Sequence, residues 1–264
     1  MRAFRVAYDG TGYRGFQRQP DVPTVEDALL DALETLDALE DGTPPGYAAA
    51  GRTDAGVSAL AQTVAFAAPD WLTPAALNGE LPADVRAWAS ADVPETFHAT
   101  RDARAREYTY HLHAPDADDD RARGAVDALA GEHDFRDLTP DDRGTVRDLS
   151  LAVERDGEFL VLRARAGGFP RALVRRLVGL VEEIATGESP VGKVDRVLGP
   201  DPLPGHEGVG ATPPEPLVLR AVDYDVEFAV DGDAAASARA VFARKRADRL
   251  AGARVAGAVS DGLR

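Results

Sequence analysis

The stretch Gly51-Arg52-Thr53-Asp54-Ala55-Gly56-Val57-Ser58-Ala59-Leu60-Ala61-Gln62 lies between two apolar runs, Tyr47 to Ala50 and Thr63 to Ala67. Both runs read as short strands, so the block reads as a loop between neighbouring strands. Upstream, Ala3 to Tyr8 reads as a strand. Thr24 then caps a helix whose apolar positions Val25, Leu29, Leu33 and Leu36 share one face. Downstream, Thr73 and Pro74 open a short helix and Val85 to Ala91 reads as a strand. The order around the block is therefore β-α-β-β-α-β, the split βαβ pattern of a ferredoxin-like unit.

The same order recurs further on. Glu107 to Leu112 reads as a strand and Ala122 to Ala130 as a helix, after an acidic exposed loop from Pro115 to Asp120. Val146 to Glu154 and Glu158 to Arg165 form a hairpin across Asp156-Gly157. Arg171 to Thr186 is a helix with Leu173, Leu177, Leu180, Val181 and Ile184 inward, and Leu217 to Val226 closes as a strand after a loop rich in Pro and Gly. The expected fold is α+β, with two ferredoxin-like halves joined through their antiparallel sheets and a cleft between them. The expected division is 1–99, 100–228 and a basic helical tail, 229–264. That tail carries Arg239, Arg244, Lys245, Arg246, Arg249 and Arg254. It reads either as a solvated helix packed on the domain or as a helix that contacts a polyanion or forms an interface.

Composition narrows the function. Among 264 residues there is no Cys, which excludes disulfides, thiol catalysis and thiolate metal sites. No apolar run approaches a membrane span, and the N-terminus runs straight into a strand pattern without a signal peptide; a cytoplasmic location is expected. The net charge is −15, yet 28 of the 30 cationic residues are Arg, the only lysines being Lys193 and Lys245, and Asp outnumbers Glu 30 to 15. Such a balance fits an acidic protein without a polyanion partner, or an enzyme adapted to high salt with its arginines gathered at one site; the second reading is preferred. Concentrated salt shortens the screening length to about 3 Å, so surface repulsion from a polyanion matters little there.

Within the block, Asp54 is a carboxylate set near a guanidinium, suited to a nucleophile or base, and Gly51 and Gly56 permit close approach of a ligand to backbone. A turn with a structural Arg–Asp pair remains open at this point. Gly10-Thr-Gly-Tyr-Arg-Gly15 has the letters of a dinucleotide fingerprint, but Pro20 and Pro23 separate it from the next helix, so no nucleotide cofactor is expected. A loop that aims Arg14, Gln17 and Arg18 at the phosphates of a polyanion fits better. His111 and His113 share a strand face without a third ligand, so no metal is expected.

The Asp54 block resembles the catalytic signature of the tRNA pseudouridine synthase A family. Five further stretches resemble that family in order: Tyr8 to Gln19, Phe97-His-Ala99, Arg106-Glu-Tyr-Thr-Tyr110, Phe169 to Arg175 with Gly179, and Pro216 to Leu219 with Val222 to Tyr224. Departures occur at Ser58 for a usual His, Phe16 for a usual Trp, Thr100 for a usual Arg, and Pro170, Arg171 and Ala172 ahead of Val174. The resemblance implies uridine isomerisation in tRNA, at positions 38, 39 and 40 of the anticodon stem-loop, by a homodimer without cofactor. It implies Asp54 as the catalytic carboxylate, Tyr108 stacked on the flipped uracil, Arg52 aiding extrusion of the base, Arg175 paired with Asp54, and Leu217 as an apolar wall. Two rivals are a non-catalytic RNA-binding module and a carboxylate-dependent hydrolase. The hydrolase generally wants two neighbouring carboxylates, and the block supplies one.

Overall fold

The computed structural model describes residues 1–39 and 42–263. In chain order its elements are β1 (Arg2–Tyr8), α1 (Val25–Thr35), β2 (Ala48–Ala49), β3 (Ser58–Phe66), α2 (Pro74–Glu80), β4 (Val85–Asp92), β5 (Ala105–His113), α3 (Asp119–Leu129), β6 (Gly131–Asp134), β7 (Val146–Asp156), β8 (Phe159–Ala166), α4 (Leu173–Ala185), α5 (Lys193–Val197), β9 (Leu217–Asp223), β10 (Ala229–Val230) and α6 (Gly232–Gly262). The first half pairs as β4-β1-β3-β2 and the second as β9-β5-β8-β7, each antiparallel throughout. Both are the split βαβ arrangement, and together they form one sheet.

The seam is small and of the opposite sense. β3 and β9 run parallel and meet at Ser58↔Val218 and Ala59↔Leu219. The far end of the same β3 edge, at Val64 and Ala65, pairs with β2 instead. One edge of β3 thus serves both its own half and the other. The chain between β2 and β3 leaves the sheet beside the seam, and that excursion carries Asp54.

Local chemistry explains most elements. Thr24 Oγ1 accepts from Asp27 N–H at 3.2 Å and Thr73 Oγ1 from Ala76 N–H at 3.1 Å, capping α1 and α2. In β1, Phe4, Val6 and Tyr8 enter a core beneath α1 and α2, with Phe4 stacked on Phe66 at 5.3 Å between ring centroids. The alternate residues face the other way. Ala3 packs under Phe97 and Ala99, and the Arg5 guanidinium lies 4.2 Å from the centre of the Phe228 ring. In the second half α3 and α4 cover β5, β7 and β8 around Phe135, Leu149, Leu160 and Leu177.

Several boundaries differ from the sequence expectation. β3 begins at Ser58, so Ser58 to Gln62 are strand and the loop proper ends at Val57. Small residues at Ala59 and Ala61 hid the start of a strand that is buried without a break from Ala61 to Phe66. Asp119 and Asp120 belong to the first turn of α3, where Asp118 caps and acidic residues suit the helix dipole, rather than to a loop. The β7–β8 turn is Gly157-Glu158, one residue later than expected, with Gly157 at φ +58° in the first turn position. α4 starts at Leu173 because Ala172 takes a left-handed conformation, φ +58°. β9 stops at Asp223, and β6, α5 and β10 are additions too short for periodicity to reveal.

The tail forms α6, of 31 residues. Only Ala234, Ala235 and Ala238 are buried, against the β4 side of the sheet; Leu250, Val255, Val259 and Leu263 are exposed. Further along, Lys245 and Arg249 reach back to Asp9. Among the described residues no helix is long and apolar enough to cross a membrane.

Candidate active site

A cleft of about 1220 Å³ opens where the halves meet. Among the described residues its walls carry Arg14, Arg52, Arg106, Arg147, Arg171 and Arg175 against three carboxylates, Glu26, Asp54 and Asp141. An excess of cations inside a chain of net charge −15 marks the cleft as the place for an anionic ligand.

Asp54 projects into this cleft from the loop, half-buried. Arg175 Nη1 lies 3.6 Å from Asp54 Oδ2, an ion-pair distance rather than a hydrogen bond. α4 supplies Arg175, and a hydrogen bond from Arg175 Nε to the Thr212 carbonyl at 2.6 Å fixes the guanidinium. Across the cleft Tyr108 stands edge-on to Phe169, ring centroids 5.2 Å apart. Burial raises the Tyr108 hydroxyl to about 12, with the nearby Asp54 charge adding to the rise and Arg106 opposing it. Tyr108 therefore stays neutral and presents an aromatic face at ordinary pH. Leu217, at the start of β9, closes the floor.

The loop is held from below. Gln62, fully buried on β3, donates from Nε2 to the Gly51 carbonyl at 2.7 Å and accepts from Gly51 N–H at 3.3 Å. Tyr8 and Thr53 share a hydroxyl hydrogen bond of 2.7 Å. Phe16 N–H donates to the Thr53 carbonyl and Gly56 N–H to the Tyr13 carbonyl. Gly10 lies so close that a Cβ there would sit 2.0 Å from the Val57 carbonyl oxygen. Arg106, buried on β5, donates to the carbonyls of Ala50 (2.6 Å), Thr100 (2.9 Å) and Gly167 (2.6 Å), tying the loop's entry to both halves. Sequence reasoning assigned no role to Gln62 or Arg106, although both lie in quoted motifs. An Arg two residues before Tyr108 on the same strand was the available signal for Arg106.

Of the residues singled out from sequence, Asp54, Arg52, Tyr108, Arg175, Leu217, Arg14 and Gln17 all line the cleft. Arg52 is exposed at its mouth. Arg18 does not join them: its Nε pairs with Asp27 Oδ1 at 2.5 Å, against the acidic first turn of α1. His113, at the end of β5, lies 3.6 Å from Glu158 in the β7–β8 turn and does not line the cleft.

A family model described as tRNA pseudouridine synthase matches residues 125–225. The tRNA pseudouridine synthase A of Natronomonas pharaonis is 64% identical, over 98% of this chain and 99% of its own. The tRNA pseudouridine synthase A of Haloarcula marismortui is 60% identical with full coverage of both chains, and that of Methanothrix thermoacetophila 41% identical over 87% of this chain and 85% of its own. The chain belongs to the tRNA pseudouridine synthase A family.

Membership fixes the reaction class: the chain is an isomerase that converts uridine to pseudouridine in tRNA. It also accounts for the charge, because relatives 57–64% identical to this chain come from halophilic archaea and the Asp-rich, Lys-poor composition is salt-adapted. Circular dichroism is accordingly expected to show structure lost in dilute buffer and regained in molar potassium chloride; a spectrum indifferent to salt would contradict this account of the acidic excess.

Only one of the two tyrosines of the Arg106–Tyr110 strand faces the cleft. Tyr110 is core, 1% exposed, its hydroxyl donating to the Pro213 carbonyl at 3.0 Å. Tyr108→Ala is expected to lower turnover by about 100-fold, with a smaller loss of stability than Tyr110→Ala. Tyr110→Ala is expected to cost about 3–5 kcal/mol of stability, with turnover of the folded fraction preserved. Parallel melts and single-turnover assays check both; the reverse order would exchange the two roles.

Proposed function

We infer that the chain isomerises uridines 38, 39 and 40 of the tRNA anticodon stem-loop, with Asp54 as the carboxylate that acts at the ribose. The observation that carries the role of Asp54 is a single loop carboxylate, 3.6 Å from a fixed guanidinium, facing an aromatic wall in a cationic cleft; positions 38, 39 and 40 rest on the family resemblance. Pseudouridine formation breaks the N1–C1′ bond, turns the base and joins C5 to C1′; the C5 hydrogen leaves to solvent and N1 regains a proton. No redox change is involved, and no cofactor is assigned. Asp54 either adds to C1′ or removes the C2′ proton.

The target uridine must leave its stack, at a cost of a few kcal/mol. Arg52, at the cleft mouth, enters the gap it leaves. Tyr108 stacks on the flipped uracil, and Leu217 with Tyr108 keeps water from the intermediate. Arg175 holds Asp54 in place. Arg14 and Gln17 contact phosphates; Arg18 does so only after releasing Asp27. The chain acts in the cytoplasm as a homodimer, whose two clefts read one tRNA from both sides, with residues 1–99, 100–228 and 229–264 as its functional units.

The test is tritium release from tRNA labelled at uridine C5, assayed in high salt. Release is expected from wild type with native tRNA and not with a tRNA carrying cytidine at 38, 39 and 40. Release that survives that replacement would place the target elsewhere. Binding without release from any tRNA would favour the binding-module reading.

A further inference from the structure

Asp9 is a carboxylate with 4% side-chain exposure, and two cations from the far end of the chain close over it. Lys245 Nζ lies 2.9 Å and Arg249 Nη2 2.6 Å from Asp9 Oδ2. The other oxygen, Oδ1, accepts from Thr11 N–H at 3.2 Å and Thr11 Oγ1 at 2.8 Å. Burial alone would raise the Asp9 carboxyl; hydrogen bonds from Lys245, Thr11 and Arg249 outweigh it and hold it far below the usual carboxylate range. Lysine has nearly vanished from this chain, and both survivors sit in partly or largely buried carboxylate pairs, Lys193 with Glu183 and Lys245 with Asp9. A buried pair of this kind persists in salt that screens surface charges.

What the pair holds is the segment that straps the Asp54 loop. From Asp9 the chain passes through Gly10, whose N–H donates to Ser58 Oγ at 3.1 Å, and whose Cα abuts the Val57 carbonyl. Tyr13 and Phe16 then supply the backbone partners of Gly56 and Thr53, on either side of Asp54. Tyr13 is fixed in turn by its hydroxyl, which donates to Asp84 at 2.8 Å. A carboxylate stripped of its cations would be an uncompensated buried charge, and it relaxes by moving toward water or taking a proton. Either response releases Thr11 and slackens the strap.

We propose that Lys245 and Arg249 are positioning residues for uridine isomerisation: by clamping Asp9 from α6 they set the strap, and the strap sets the Asp54 loop. This rests on Asp54 being the reacting carboxylate. It gives the tail helix a task in the site without any contact between helix and substrate.

The variants are Lys245→Ala/Arg249→Ala and the charge-keeping exchange Lys245→Arg/Arg249→Lys, in the full chain and in molar potassium chloride. Three readouts are compared: tritium release (kcat and KM), tRNA Kd, and hydrogen exchange in peptides covering residues 9–16 and 52–57. The double alanine variant is expected to lose kcat by about tenfold or more, with KM and Kd within about twofold and faster exchange in both peptides. The exchange variant is expected to restore all three. Should the double variant not fold, Arg249→Ala, whose side chain is 61% exposed, shows the same pattern with a smaller loss. A rise in Kd that matches the fall in activity would overturn the proposal and make the tail an RNA contact. Unchanged kcat with unchanged exchange would overturn the clamp while leaving Asp54 untouched. Faster exchange with unchanged kcat would show that the strap does not set the reacting geometry, and would overturn the proposal while leaving the role of Asp54 to the Asp54→Asn assay.

Discussion

Asp54→Asn is expected to abolish tritium release while tRNA binding persists. The loss should be at least about 1,000-fold, the scale on which removal of a group acting directly on the reacting atoms falls. The change preserves volume and both neighbours. Arg175 keeps its bond to the Thr212 carbonyl at 2.6 Å, and the loop keeps its bonds to Tyr13 and Phe16. What disappears is the negative charge facing the ribose and the lone pair able to attack C1′ or take the C2′ proton. Because Asp54 is half-buried rather than sealed in a core, the variant should melt close to wild type. Filter binding and tritium release on the same preparation read the two properties apart. Retained turnover would sink the assignment and return the hydrolase-like and binding-module readings to consideration.

Arg106→Met should produce the second large effect, and on both stability and activity. The guanidinium is 8% exposed and its bonds go to three backbone carbonyls, at Ala50, Thr100 and Gly167. Methionine fills much of the space but donates nothing. Each buried carbonyl left without a donor costs about 1–3 kcal/mol, so a loss of about 3 kcal/mol or more is expected. Activity should fall further than stability predicts, since Ala50 opens the Asp54 loop and Gly167 precedes Phe169, which packs on Tyr108. A chain of this size shifts its melting temperature by roughly 2–4 °C per kcal/mol, well within reach of a thermal melt. A variant that melts and turns over like wild type would show that water can replace the guanidinium.

The sequence carried the fold far because its signals were local. Thr24 and Thr73-Pro74 announce helices, Gly157 announces a hairpin, and the doubled β-α-β-β-α-β order follows from them. The seam between β3 and β9 was not legible. It depends on two residue pairs, and nothing in Ser58-Ala59 distinguishes an inter-half contact from a loop. Tyr108, Leu217 and Arg175, on strands and the α4 helix, line one cleft. Arg18 turns to its own helix, because whether an arginine faces a ligand or its helix depends on Asp27 and Asp31 coming within reach after folding. The Asp9 clamp lay beyond any local pattern, since its partners are at the opposite end of the chain.

The parallel seam also governs when the enzyme comes into being. Ser58 pairs with Val218, so the floor of the cleft is delivered by almost the last strand to be made. Such distant partners are slow to meet, because closing a long loop costs entropy before any contact repays it. The first half can begin to collapse around Phe4, Phe66 and Leu33 as it leaves the ribosome, but Leu219 and Val222 of β9 complete that core, and the Asp54 loop still has no Leu217 beneath it and no Arg175 beside it. Chemistry on a glycosidic bond is thereby withheld from every unfinished chain, and catalytic competence arrives as a late event of folding.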